Sequence, residues 1–188
     1  MPALDFRVFR DLSYGLYIVT SKDGDKINGQ LVNTVIQVTS DPPRVAVIIN
    51  KKNLTHEFIL KSKLFAAMVL DDNVSMVFLG PFGFRSGRDV NKFEKAEYKL
   101  GSTGCPIVTQ NTLSMIEAKV INNIDLGTHT IFVADVVNSE VLKTGTPLTY
   151  KFYHEHLKGK TPPNAPSFSA QTSRRQKDED PMNREHDV

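Results

Sequence analysis

The stretch that most limits how this chain can fold is "LSMIEAKVINNIDLGTHTIFVADVVNSEVLK", residues 113–143. Two long runs, rich in apolar and β-branched residues, flank a Gly127-Thr128 turn. In the first run Ile116, Ala118, Val120, Ile124 and Leu126 recur near a period of two, the spacing of side chains on one face of a strand. The pair reads as a long antiparallel hairpin that would form one wall of a larger sheet. Shorter runs follow the same pattern. "GLYIVTS" (15–21), "INGQLVNTVIQVTS" (27–40), "RVAVIIN" (44–50), "LFAAMVL" (64–70) and "LTYKFYH" (148–154) each read as a strand. "KDGDK" (22–26) supplies a hairpin turn. "DPPR" (41–44) stops the long strand before it, because proline fixes its own backbone and cannot donate to a ladder. Helical spacing is confined to 54–62 and to "NVSMVFLGPFGF" (73–84), which reads as a helix broken at Gly80-Pro81. Residues 85–104 read mostly as loop. The expectation is a mainly β protein, a barrel or sandwich with a few short helices.

At 188 residues with 40% apolar side chains, the chain can bury one core. That core is expected within residues 1–168; residues 169–188 are almost wholly polar and read as a disordered tail. A net charge of +2 argues against nucleic acid as a partner. The lone cysteine, Cys105, permits neither an internal disulfide nor a cysteine metal cluster, and the five histidines lack a metal-ligand spacing. With no apolar run of membrane-span length and no signal-peptide pattern, the expected setting is soluble and cytoplasmic, away from membranes.

Several segments could carry chemistry. "INKKNLTHEFI" (49–59) joins a strand to a helix, with Asn53 as a candidate N-cap and Lys51 and Lys52 just before it. A helix start already carries partial positive charge, so two cations there suit a bound anion: N–H donors, Asn53, Thr55 and lysine together could hold a phosphate. A solvated turn with surface lysines is the alternative. "NGQLVNTV" (28–35) sets Gln30, Asn33 and Thr34 along an otherwise apolar strand, where such groups need partners, either a polar heterocycle edge or neighbouring loops. "FGFRSGRDVNKF" (82–93) is a flexible basic loop that could cover a ligand or simply be solvated. His129 opens a strand after a turn, at a barrel mouth or in a structural role.

In their order and spacing, "GLYIVTS", "NGQLVNTVIQVTSDPPRVAVIINKKNLTHEFI", "GFRSGRDVNKF", "DLGTHTIFVADV" and "LTYKFYHEHLKGKTPPNAPSF" resemble the flavin reductase-like family, in particular its flavoredoxin and high-molecular-weight rubredoxin branch. The resemblance implies an FMN-binding split β-barrel, a Greek-key antiparallel barrel, spanning about residues 14–168. It also implies a homodimer with FMN near the subunit interface. The family's contact segments map onto Gln30, Leu31, Val32, Asn33 and Thr34 beside the flavin ring, and Asn50, Lys51, Asn53 and Thr55 at its phosphate. Ser86, Arg88 and Lys92 fall in the loop near the flavin or the partner subunit. His129 takes the position near a stacking nicotinamide, as a catalytic residue; Thr128 stands where many relatives have aspartate. The implied activity is FMN reduction by NADH or NADPH, with electrons passed to a further acceptor such as a redox protein. The alternative is a flavoredoxin-type carrier with tightly bound FMN and no direct nicotinamide use.

Overall fold

A computed structural model of the chain describes residues 4–5, 8–9 and 11–168; the tail assigned to 169–188 lies outside them. Seven strands form one antiparallel sheet: β1 (Tyr17–Asp23), β2 (Lys26–Val32), β3 (Val35–Ser40), β4 (Pro43–Asn50), β5 (Leu64–Leu70), β8 (Thr112–Asp125) and β9 (His129–Val141), in the order β2-β1-β5-β8-β9-β4-β3. The remaining strands, β6 (Tyr98–Leu100) and β7 (Pro106–Val108), make a separate small hairpin. Helices are short: α1 (Leu54–Ser62), α2 (Met76–Phe84) and α3 (Tyr150–Glu155). The expected mainly β barrel with a few helices is what forms. The long hairpin is β8–β9, with Asp125 opposite Thr130 and Ser114 opposite Val141.

Adjacent residues of one strand enter different cores, which is why the runs look apolar rather than alternating. Ile18, Ala66 and Met68 join an outer cluster with Leu79 and Phe82 of α2, Phe93, Ile107 and Tyr153. Val19, Phe65 and Ala67 join an inner cluster with Val47, Ile49, Ile59, Ala118 and Phe132. Burying both faces of a central strand leaves no solvent side to carry polar residues. The β1–β2 turn is the two residues Gly24-Asp25, and Gly24 takes φ +60, which a glycine adopts without a Cβ penalty.

Four sequence expectations change. The strand expected over 27–40 is two strands, interrupted at Asn33 and Thr34; Ile48 N–H donates to the Thr34 carbonyl at 3.2 Å, tying the break to β4. The segment 148–154 is not a strand beyond an isolated bridge between Gly15 and Thr149; it is α3, whose first turn is capped by Thr149 Oγ1 accepting from Phe152 N–H. Pro81 does not break α2. It forgoes one ladder bond, to Val77, which is 87% exposed, while Ser75 caps the helix and Leu79 and Phe82 anchor it. The stretch read as loop contains β6, paired with β7 across a turn held by Glu117.

Glu117 is fully buried and accepts from the N–H and hydroxyl of both Ser102 and Thr103 and from Asn138 Nδ2. Burial pushes its pKa up, but these donors outweigh it and hold the carboxyl at about 2.

Candidate functional site

A cavity of about 640 Å³ opens between β2, the end of β4, the start of α1, the loop after α2, and the segment 160–166 after α3. Its place follows from the break at Asn33. β2 and β3 are consecutive in the chain yet lie at opposite ends of the sheet, so the sheet curls and the amide-bearing residues of β2 face a gap instead of a neighbouring strand.

Gln30, Leu31, Val32 and Asn33 line this cavity as a continuous run. Gln30 Oε1 and Asn33 Oδ1 are buried and have no hydrogen-bond partner. Buried side-chain acceptors are rarely left unpaired, so these two point to a ligand with donors of its own. Asn33 Nδ2 donates to Ser167 Oγ at 2.8 Å. Thr34 does not line the cavity; its hydroxyl donates to the Ile48 carbonyl at 3.1 Å and stiffens the break.

The junction between β4 and α1 forms another part of the lining. Asn50 Oδ1 accepts from Lys52 N–H at 3.0 Å, shaping the turn. Asn53 sits at the N-cap with an extended backbone, but its side chain does not cap the helix. Asn53 Oδ1 instead accepts from Asn164 Nδ2 at 3.2 Å, across the cavity mouth. Thr55 is buried at the cavity wall and accepts from Asn28 Nδ2 at 2.9 Å. The two lysines part company: Lys52 lines the cavity, whereas Lys51 does not and pairs with Asp125 at 2.5 Å.

The loop after α2 brings Ser86, Arg88 and Lys92 to the same space. Ser86 Oγ accepts from Arg88 N–H, and the Arg88 guanidinium reaches both Glu57 and the Lys52 carbonyl. Lys92 is 6% exposed, and its ammonium donates to the Gly29 carbonyl at 2.8 Å. Burial pushes its pKa down to about 8. Gly29 suits this spot, since a Cβ there would lie 3.0 Å from Thr20 and 3.4 Å from Phe82 and Phe93. His129 does not line the cavity but touches two residues that do. Its Nε2 lies 3.4 Å from Asn50 Nδ2 and 3.3 Å from the Asn164 carbonyl, and Nδ1 lies 2.8 Å from Thr128 Oγ1.

Lys52, Arg85, Arg88, Lys92 and Lys160 line the cavity, and among the described residues no aspartate or glutamate does. With the start of α1 at the same wall, the field inside favours an anion. The sequence reading did not single out Asn28 or Tyr150, took Arg85 only as part of the basic loop 82–93, and took 160–166 only as part of a segment carrying the family resemblance. That last segment is Pro-rich and polar, and its composition by itself signals no ordered role.

The flavin reductase like domain family is matched over residues 9–158. The chain belongs to the flavin reductase-like family. A ferric-chelate reductase (NAD(P)H) of Archaeoglobus fulgidus is 48% identical over 162 residues, 86% of this chain and 96% of that protein. A high molecular weight rubredoxin of Moorella thermoacetica is 47% identical over 166 residues, 88% of this chain and 72% of that protein. Among solved structures, an FMN-binding protein from Thermus thermophilus with bound 1-cyclohex-2-enone superposes with a TM-score of 0.66 at 25% identity, over 76% of this chain and 77% of the other.

Proposed function

We propose that this cavity binds FMN and that the protein is an NAD(P)H-dependent flavin oxidoreductase which hands electrons to a further acceptor, a ferric chelate or a redox protein. The observation that carries the reading is that one cavity combines charged lining residues that are all cationic with two orphaned buried amide oxygens. FMN has both complements: a phosphate dianion and a flat ring with an N–H on its polar edge. The ring accepts a hydride and releases electrons singly, which is the chemistry the protein lacks by itself.

In this reading Gln30 and Asn33 hold the polar edge of the ring. Lys52, Arg88, Asn53 and Thr55 surround the phosphate beside the N-terminus of α1. Lys92, fixed on Gly29, supplies a buried positive charge where negative charge grows on reduction. His129, braced by Thr128 and Asn50, positions the nicotinamide at the mouth. The segment 160–166 excludes water there. The likeness to a high molecular weight rubredoxin favours a second reading, a flavin carrier that serves protein partners without nicotinamide.

A homodimer fits the exposed apolar side chains Ile36 and Val38 on β3 and Ile121, Ile124 and Leu126 on the β8–β9 arm, which extends beyond the reach of β5. The free, buried Cys105 accords with a reducing cytoplasm.

The purified chain should be yellow or take up added FMN, and NADH or NADPH should bleach it anaerobically. Failure to bind FMN refutes the proposal. Binding without bleaching by either nucleotide selects the carrier.

A further inference from the structure

Beside the cavity a file of hydrogen-bonding groups leads to a half-buried histidine that the flavin reading leaves unused. Ser167 Oγ, which accepts from Asn33 Nδ2, donates to the Tyr150 hydroxyl at 3.4 Å. The Tyr150 hydroxyl lies 2.5 Å from Thr161 Oγ1, and Thr161 Oγ1 lies 3.4 Å from His154 Nε2. On the far side of the ring, His154 Nδ1 is 2.8 Å from the Gly159 carbonyl. A carbonyl only accepts, so in the neutral ring Nδ1 carries the proton and Nε2 is left as acceptor. That assignment sets the direction of every other link. Thr161 donates to His154, Tyr150 donates to Thr161, and Ser167 donates to Tyr150. Three hydroxyls thus point one way, from the cavity toward the histidine.

The file is rigidly mounted. Tyr150 and His154 are four residues apart on α3, hence on one face, with ring centroids 4.4 Å apart. Tyr153 stacks on Tyr150 and donates to the Lys160 carbonyl at 3.1 Å, which fixes the approach of Thr161. Gly159 lies against the Tyr153 ring so closely that a Cβ there would sit 2.0 Å from it. The charged groups of these elements are Lys151 and Glu155, an exposed pair on α3, with Lys158 and Lys160 on the following segment; His156 stacks on Phe152. Tyr150 and Thr161 both line the cavity.

We propose that Tyr150, Thr161 and His154 form a proton exit from the cavity, used when the reduced cofactor is reoxidised. The inference rests on the flavin reading above. Reduction takes up one hydride from the nicotinamide and one proton from solvent. Reoxidation by two ferric ions, each taking one electron, returns both hydrogens as protons. A departing proton binds the Tyr150 oxygen, the Tyr150 proton passes to Thr161, and the Thr161 proton passes to His154 Nε2. The imidazolium then loses a proton to water and the hydroxyls turn back.

The test uses the full chain, loaded with FMN, reduced anaerobically and mixed with ferric EDTA. Tyr150→Phe, Thr161→Val and His154→Ala, each brought to full FMN occupancy, should slow reoxidation by about a hundredfold or more, the low end of proton-transfer catalysis. Thr161→Ser should keep the wild-type rate, and added imidazole should restore His154→Ala but not Thr161→Val. Nitrogen NMR of the ligand-free chain should find His154 with its proton on Nδ1. Unchanged rates in FMN-loaded variants, absence of imidazole rescue, or a proton on Nε2 in the ligand-free chain would each overturn the exit. A chain that takes up no FMN sinks the cofactor reading and the exit's purpose with it, whereas the tautomer, read without cofactor, tests the wiring separately.

Discussion

Lys92 offers a prediction whose size can be worked out. Its ammonium is buried, has one carbonyl partner in Gly29, and titrates at about 8 against an ordinary 10.5. The difference, at about 1.4 kcal/mol per unit, means that keeping this charge costs the folded, ligand-free protein about 3 kcal/mol. The sign follows from which state holds the proton. Below about pH 8 both folded and unfolded chains carry it, and the folded state bears the whole cost. Between about 8 and 10.5 the unfolded chain keeps the proton while the folded protein releases it, so stability climbs with pH. Above that window the gain is complete. Lys92→Met removes the climb and leaves only a constant offset from the lost bond to Gly29. Urea unfolding of ligand-free wild type and variant, in half-unit steps across the window, should show wild type gaining about 3 kcal/mol relative to Lys92→Met. In the proposed reading the electron-rich edge of the flavin ring beside Lys92 favours the charged amine, so FMN binding should take up a proton above about pH 8 and weaken by up to about tenfold per unit, and the variant should lack that dependence. Parallel unfolding curves for the two proteins would refute the reasoning, because the amine would then be solvated in the folded state.

Other outcomes follow from the same geometry. Glu117→Gln keeps one acceptor oxygen and turns an N–H₂ toward buried donors, so it should cost about 3 kcal/mol in denaturant unfolding. The carboxyl is held at about 2 against an ordinary 4.5, so its contribution is present above about pH 4.5 and is lost as pH falls toward 2, and the variant should be flat over that range. Lys52→Ala should weaken FMN by about tenfold or more in a fluorescence titration while leaving riboflavin nearly unaffected. Lys51→Ala, which breaks an exposed pair with Asp125, should change FMN affinity by less than about fivefold. His129→Ala should slow bleaching by NADH or NADPH by about tenfold or more, with little change in FMN affinity.

β5, buried on both faces, was legible because nothing polar interrupts its apolar run, and β1 because its β-branched Ile18, Val19 and Thr20 suit a strand. So was α1, whose buried Thr55, Phe58 and Ile59 follow a helical period. β6 and β7 are three residues each, too short for any period to register. The segment now seen as α3 carries aromatic residues that suit a strand equally well; Tyr150 and Tyr153 reveal their shared helical face only through the stacking that tertiary contact imposes. At the site, residue types announced an anion and a polar-edged partner, but not which lysine turns inward. That choice depends on Asp125, 74 positions away in sequence, reaching Lys51 from the β8–β9 turn. The role of Asn53 was hidden likewise, because its partner Asn164 comes from a segment whose composition suggests no order.

The chain passes from β2 to β3 through two residues, yet these strands are the outermost members of the sheet. A curled sheet that nearly meets itself without rungs is a seam, and among the described residues no ladder closes it. Whatever fills the cavity touches β2 on one side of that seam and Ile48 and Asn50 of β4 on the other, although no residue of β3 lines it, and would brace both halves at once. Cargo and scaffold then share one account of mechanical strength: the filled molecule resists opening along a line where the empty one has least to hold it.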